Sequence, residues 1–279
     1  MSGKAIARLW PGPELARELE LAEAAVCREF AVAAARLYPQ LPIRVVEHAG
    51  GVAISYGAGD PLNGVKGAGL CGSVDADEWD EVEEAFLPGG SPVVVDLCPF
   101  ADAEFVNVLG ARGYRIGAFE TVLCKDLALA EEPAGELPAG LSICAAKSPE
   151  QFTRVVGIGF AHGGEPMKFA VDFGRVRARM SHAPMLIASI DGEEAGGAAV
   201  SFAGRVAHMS GAAVLPRFRG RGIQRALTEA RLRLARERGC VLAKLDVEAG
   251  SVSHRNAERA GFRVAYTRPQ MVRAPGVTG

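Results

Sequence analysis

The chain has 279 residues, 49% hydrophobic and 23% charged, a balance that excludes a disordered chain and supports one large domain or two ordinary ones. Its formal charge of −2 gives no global pull toward nucleic acid or an anionic membrane, so any basic site must be local. No apolar run reaches the roughly 18 residues that span a bilayer, no secretory signal opens the sequence, and the six cysteines stand singly, so the expectation is a cytoplasmic protein with no membrane, nucleic-acid or metal partner.

From the N-terminus, Pro13 to Tyr38 reads as a long helix, followed by strands near Ile43–His48, Val52–Tyr56 and Val65–Cys71. Helix Asp75–Leu87, strand Pro92–Leu97, helix Asp102–Arg112 and strands from Tyr114 to Lys125 complete the first half. Ala128 to Pro138, rich in Pro, Glu and Ala, reads as a linker. Beyond it, Gly140 to Ala146 alternates like a strand. Ser148-Pro149-Glu150-Gln151 then combines an N-cap, a proline at the first helical position and a capping-box glutamine. A second helix is expected over Met167 to Met180. Met185–Ile190, Gly196–Phe202 and Arg205–Val214, joined by the turns Asp191-Gly192 and Ala203-Gly204, read as a three-strand meander. Helix Gly222–Arg238, strand Val241–Val247, a short helix near His254–Ala260 and strands from Phe262 close the chain. The two halves run in similar order. Gly113-Tyr114-Arg115-Ile116 echoes Gly261-Phe262-Arg263-Val264, as duplication of a whole domain would produce.

The stretch that carries chemistry is Val214 to Gln224, reading VLPRFRGRGIQ between a strand and an amphipathic helix striped by Ile223, Leu227, Ala230 and Leu234. Gly220 and Gly222 remove side chains where backbone must approach a ligand, and the unpaired amides of a helix start favour an anion. Arg217, Arg219 and Arg221 add full positive charge, giving the makings of a pyrophosphate cradle. One alternative is a glycine-rich turn with solvated arginines. A second, a dinucleotide fingerprint, is disfavoured because the preceding strands form a meander and too little chain follows to finish a doubly wound sheet.

The segment Arg219-Gly220-Arg221-Gly222-Ile223-Gln224, after Val214-Leu215-Pro216, resembles the acetyl-CoA motif of the GCN5-related N-acetyltransferase (GNAT) family, with Gln224 where that family usually has Gly or Ala. The resemblance covers residues 139–273 by motif and element order and residues 1–127 by element order alone. It implies an α/β chain of two tandem GNAT folds, each a mixed, mostly antiparallel sheet flanked by helices. The halves would be a degenerate domain 1–127 and a catalytic domain 139–279, joined by the linker 128–138. It implies acetyl-CoA as acyl donor and direct transfer to the primary amine of an acceptor. Arg219, Gly220, Arg221, Gly222, Ile223 and Gln224 would form the cradle, Ala213, Val214 and Leu215 would supply backbone contacts, and Ser253 and Asn256 would add polar ones. The family's usual acidic tyrosine is replaced by Ala257. For the base, Glu248 at a strand end and His208 on a strand are the candidates, with Tyr266 a further acid–base candidate. In the first half, Asp75, Asp77 and Glu78 occupy the position of the cradle, with no Lys or Arg between Cys71 and Leu87, so that half is expected to bind no CoA. The alternative function is an acyl-CoA-binding regulatory module without turnover. A homodimer is compatible with either.

Overall fold

A computed structural model describes residues 11–48, 50–128, 137–161 and 171–276. The first half consists of α1 (Pro13–Leu37), β1 (Arg44–His48), β2 (Gly51–Ser55), β3 (Gly64–Lys66), α2 (Glu78–Glu84), β4 (Val93–Asp96), α3 (Ala103–Ala111) and β5 (Arg115–Asp126). The second consists of β6 (Leu141–Ala145), α4 (Pro149–Phe160), α5 (Phe173–Arg177), β7 (Met185–Ile190), β8 (Glu193–Ala203), β9 (Val206–Val214), α6 (Ile223–Glu237), β10 (Leu242–Val247), α7 (Val252–Arg259) and β11 (Arg263–Arg273).

Local chemistry sets the element ends. Ser148 Oγ accepts from Gln151 N at 3.2 Å and starts α4, and Asp102 Oδ1 caps α3 through Glu104 N at 2.8 Å. The β7–β8 turn uses Asp191 and Gly192, at φ 48° and 83°, the left-handed pair a two-residue hairpin requires. Three expectations differ from what is observed. β3 stops at Lys66 instead of running to Cys71, because Gly67 and Gly69 turn the chain left-handed at φ 71° and 75°. The first-half helix expected over Asp75–Leu87 covers only Glu78–Glu84. The helix expected over Met167–Met180 is the single turn α5, capped by Asp172; residues 162–170 lie outside the described residues, as does most of the proposed linker.

All eleven strands join one sheet in the order β1-β2-β3-β4-β11-β5-β10-β9-β8-β7-β6. The two halves therefore meet edge to edge, and at the seam they trade last strands. β5 of the first half pairs antiparallel with β10 of the second, and β11 pairs antiparallel with both β4 and β5. Each half has one parallel pair, β3 with β4 and β9 with β10. One face of the sheet carries α2 and α3, whose Trp79 and Phe105 pack over Val65 and Val95, then α6 and α7 over Leu123, Ala207 and Ala243, with Phe262 packed beside them. The other face is crossed by α1, which packs on Val52 and Ile54 and meets Val176 and Met180 next to α5. Because side chains alternate along a strand, Lys66, Asp96, Glu120, Lys244, Asp246 and Arg268 all fall on the α1 face.

Candidate active site

β9 and β10 pair over three rungs only: Val206↔Leu242, Ala207↔Ala243 and His208↔Lys244. Past the last rung β9 continues beside β8 and β10 continues beside β5, so the two parallel strands part and leave a gap in the sheet. The cause is a bulge in β9. The β8–β9 register slips between Gly197↔Ala213 and Ala199↔Ser210, and Gly211 within the slip sits at φ 56°. A Cβ there would lie 3.4 Å from Phe173 and 3.5 Å from Phe152, and the left-handed backbone would strain it.

The end of β9 leads through a 3-10 turn, Pro216–Phe218, to the start of α6. Gly220 and Gly222 adopt φ 77° and 76°. A Cβ on Gly220 would meet nothing within 4 Å, and one on Gly222 only Pro138 at 3.7 Å. Gly222 is the N-cap and among the described residues no side chain caps the helix, so the first amides of α6, starting with Ile223 and Gln224, lack helical or side-chain acceptors there. That open, donor-rich concavity suits a pyrophosphate.

The three arginines beside it divide their work. Arg219 donates from Nε to Val214 O at 3.2 Å and from Nη2 to Gly159 O at 2.9 Å, tying the loop to β9 and to the end of α4. Arg217 pairs with Glu193 at 2.5 Å and lies over the Phe218 ring. Arg221 stacks on the same ring at 5.4 Å and has no carboxylate partner among the described residues, which leaves its guanidinium for an anion. At the back of the loop, Leu215 N is committed to Ala195 O at 2.9 Å, while Ala213 and Val214 lie opposite Gly197 and Gly196 of β8. Across the gap, Ser253 is exposed in the first turn of α7, which Ser251 caps, and Asn256 is half-buried. Ala257 is buried against the α6 face, and no hydroxyl stands there.

The candidate bases lie on opposite sides of the solvent boundary. Glu248 is exposed, one residue past the end of β10. His208 sits at the last rung, its side chain 13% exposed, with Nε2 3.3 Å from Asp246 Oδ2 and a buried Nδ1 without a hydrogen-bond partner among the described residues. Tyr266 is no acid for this site: its buried hydroxyl donates to Glu20 Oε1 at 2.9 Å, and burial together with Glu20 drives the phenol's pKa far up.

Behind His208 lies a feature that the sequence reading missed. Under α1 the seam holds five carboxylates, Glu20, Glu23, Asp96, Glu120 and Asp246, around Lys66, Lys244 and Arg268. Arg268, fully buried, donates to Glu20 Oε2 at 2.7 Å, to Glu23 at 2.8 and 3.1 Å and to Glu120 at 2.7 Å. Lys244 Nζ bonds Glu23 at 2.5 Å and both Asp246 oxygens at 2.7 and 2.8 Å. Lys66 bonds Asp96. Burial and Glu23 oppose ionisation of Asp246, yet Lys244, Arg268 and the His208 bond hold its pKa down at about 2. Burial also raises Glu20 and Glu120, against the pull of Arg268. Atoms of Glu23, His208 and Asp246 approach within 4.8 Å of one another, the spacing of metal ligands. The Lys244 ammonium already bridges the two carboxylates, so a metal ion would have to displace it.

Residues 160–262 match the family described as the acetyltransferase (GNAT) family, and that segment is a GNAT domain. Over its length the chain is similar in fold to a GCN5-related N-acetyltransferase from Kribbella flavida: 20% identity, 89% of this chain and 96% of that one, TM-score 0.61. It is also similar to a tandem GNAT protein from the clavulanic acid biosynthesis pathway, solved without AcCoA, at 15% identity, 97% and 98% coverage and TM-score 0.60. A third likeness is a GCN5-related N-acetyltransferase from Sphaerobacter thermophilus, at 17% identity, 97% and 96% coverage and TM-score 0.55. No curated protein sequence matches the chain. The fold is two GNAT folds in tandem. Among the described residues no helix is long and apolar enough to cross a membrane.

Proposed function

We propose that the chain is an acetyl-CoA-dependent N-acetyltransferase, with one working site in its second half, that transfers an acetyl group directly to the primary amine of an acceptor. The observation that carries this reading is the pairing of two features: an uncapped α6 start with open space over Gly220 and Gly222, and a gap between β9 and β10 beside it. A pyrophosphate fits the first and a thin acyl-bearing arm the second. Among the described arginines of the loop, Arg221 would meet the phosphates, Arg219 would hold the loop in shape, and Gln224, Ser253 and Asn256 would add polar contacts. The backbone of Ala213 and Val214 would line the gap, while the Leu215 amide is already bonded to Ala195 O.

Transfer needs a neutral amine held against the thioester carbonyl, and a group to receive its proton. His208 suits that role, being at the root of the gap with a nitrogen unpartnered among the described residues. Glu248, at the solvent end of β10, is the second candidate. A cytoplasmic location is part of the proposal.

Calorimetric titration with acetyl-CoA tests the cradle. Gly222→Val forces a β-branched residue to positive φ and fills the space before the first amides, so binding should weaken by tenfold or more. Arg221→Ala should cost about 1–3 kcal/mol, the range for a lost charged hydrogen bond. Unchanged affinity in both variants would remove the assignment. Binding without amine-dependent release of free CoA would favour a regulatory module over an enzyme.

A further inference from the structure

We propose that Asp246 is the positioning residue of the transfer proposed above, fixing His208 with its ring proton on Nε2 so that Nδ1 is the proton acceptor. The inference rests on the reading of His208 as base. It adds how that base is prepared, and by which half of the chain.

Three observations support it. Nε2 of His208 lies 3.3 Å from Asp246 Oδ2, with both side chains almost buried. Asp246 is itself locked, because both its oxygens accept from Lys244 Nζ, and Lys244 is anchored in turn by Glu23 of α1. An ionised carboxylate only accepts hydrogen bonds, so the nitrogen facing it must be the one that donates. The opposite nitrogen, Nδ1, is buried and has no hydrogen-bond partner among the described residues. In this tautomer it presents a lone pair at the rung where β9 and β10 separate.

The step balances without a further reagent. The amine nitrogen bonds to the thioester carbonyl carbon and its proton passes to Nδ1. The C–S bond breaks as CoA leaves, and the imidazolium returns the proton to solvent, from which the thiolate is protonated. Asp246 stabilises the transient imidazolium through Nε2–H. The charged and titratable groups on this face of the sheet are Glu20 and Glu23 of α1, Lys66 of β3, Asp96 of β4 and Glu120 of β5. Lys244 and Asp246 of β10, Tyr266 and Arg268 of β11 and the thiols of Cys27 and Cys98 also lie next to the seam, with Arg177 of α5 beyond it, bonded to Ser201, which pairs with His208 across the β8–β9 ladder, and to Ser210. The first half of the chain thus contributes carboxylates to a site whose donor cradle lies in the second.

Side-chain 15N NMR on the full chain, with acetyl-transfer kinetics, tests the proposal. In the wild-type protein His208 should show the Nε2–H tautomer at neutral pH; an Nδ1–H tautomer would overturn it, whatever any variant does. Asp246→Asn should lower kcat by about 10²–10⁴-fold, the range for general acid–base catalysis, with the KM for acetyl-CoA little changed. Loss of the anion should also move the acidic limb of the pH–rate profile to lower pH. Asp246→Glu should recover part of kcat. If His208→Gln abolishes transfer while Asp246→Asn leaves kcat and the limb in place, positioning by Asp246 is wrong and the base survives. If His208→Gln transfers at the wild-type rate, the reading of His208 as base is what fails.

Discussion

Arg268→Met removes the hub of the seam and keeps most of its volume. Five carboxylates would then face two cations, Lys66 and Lys244, and Glu20 and Glu120 would lose their only cationic hydrogen-bond partner among the described residues. Breaking a buried pair by removing one member leaves uncompensated charge and costs about 3–5 kcal/mol. Here the orphaned groups escape part of that cost by taking up protons. A carboxyl whose folded pKa is raised adds stability as pH falls toward its unfolded value near 4, at about 1.4 kcal/mol per unit for each proton. In the wild type, burial already pushes Glu20 and Glu120 upward, and only Arg268 and the lysines hold them back. The deficit of the variant should therefore be largest at pH 8 and smaller by about 1–3 kcal/mol at pH 5. Urea unfolding of both proteins at the two pH values measures it. A loss below about 1 kcal/mol at pH 8, or an equal loss at both, would show that the seam carries no such electrostatic weight.

Two further outcomes follow from the same architecture. The second half expressed alone, from residue 137, should be insoluble or poorly folded, because it leaves the β10 edge unpaired and Lys244 without Glu23; co-expression with residues 11–128 should restore soluble protein, and a stable, active second half alone would contradict the strand exchange. Acetyl-CoA should bind once per chain, since the first turn of α2 presents Glu78, Asp80 and Glu81 where a cradle would be, and the parting of β3 and β4 opens onto a cavity of about 320 Å³ walled by Asp60, Lys66 and Asp96; a calorimetric stoichiometry near two would refute it.

The readable parts of the molecule were those governed by short-range rules. The Ser148 cap, the Asp191-Gly192 turn and the glycines before α6 act within a few residues of themselves, and each lies where its local chemistry puts it. Where local rules compete, the reading slipped: Val65–Cys71 has strand-like residues, but Gly67 and Gly69 end β3 after three. The Gly211 bulge was legible in principle, as a glycine inside an apolar strand directly before the cradle. The charged seam was harder. The bonds that α1 makes to its partners in the second half join residues 221 to 248 positions apart, such as Glu23 with Lys244 and Glu20 with Arg268, and no spacing rule reaches that far. What the sequence does carry is a pattern: Lys244 and Asp246 alternate with Ala243 and Leu245 on one strand, and Glu20 and Glu23 interrupt the buried stripe of α1. Polar residues at strand or helix period on a face that must be buried announce partners without saying which.

Those partners explain why the halves belong together. A hydrophobic seam would join two sheets more strongly, since replacing buried ion pairs with apolar packing is often stabilising. The charged seam offers selectivity instead. Arg268 of β11 can be satisfied only if α1 lies across the sheet and β4 and β5 flank the strand, because its carboxylates come from α1, β4 and β5 at once. Any other placement of the last strand leaves a guanidinium buried among apolar groups, at a cost of several kcal/mol. The same condition reaches the candidate base: Glu23 holds Lys244, Lys244 holds Asp246, and Asp246 faces His208. Correct exchange of the last strands and correct preparation of the site are thus one requirement, met by one set of charges.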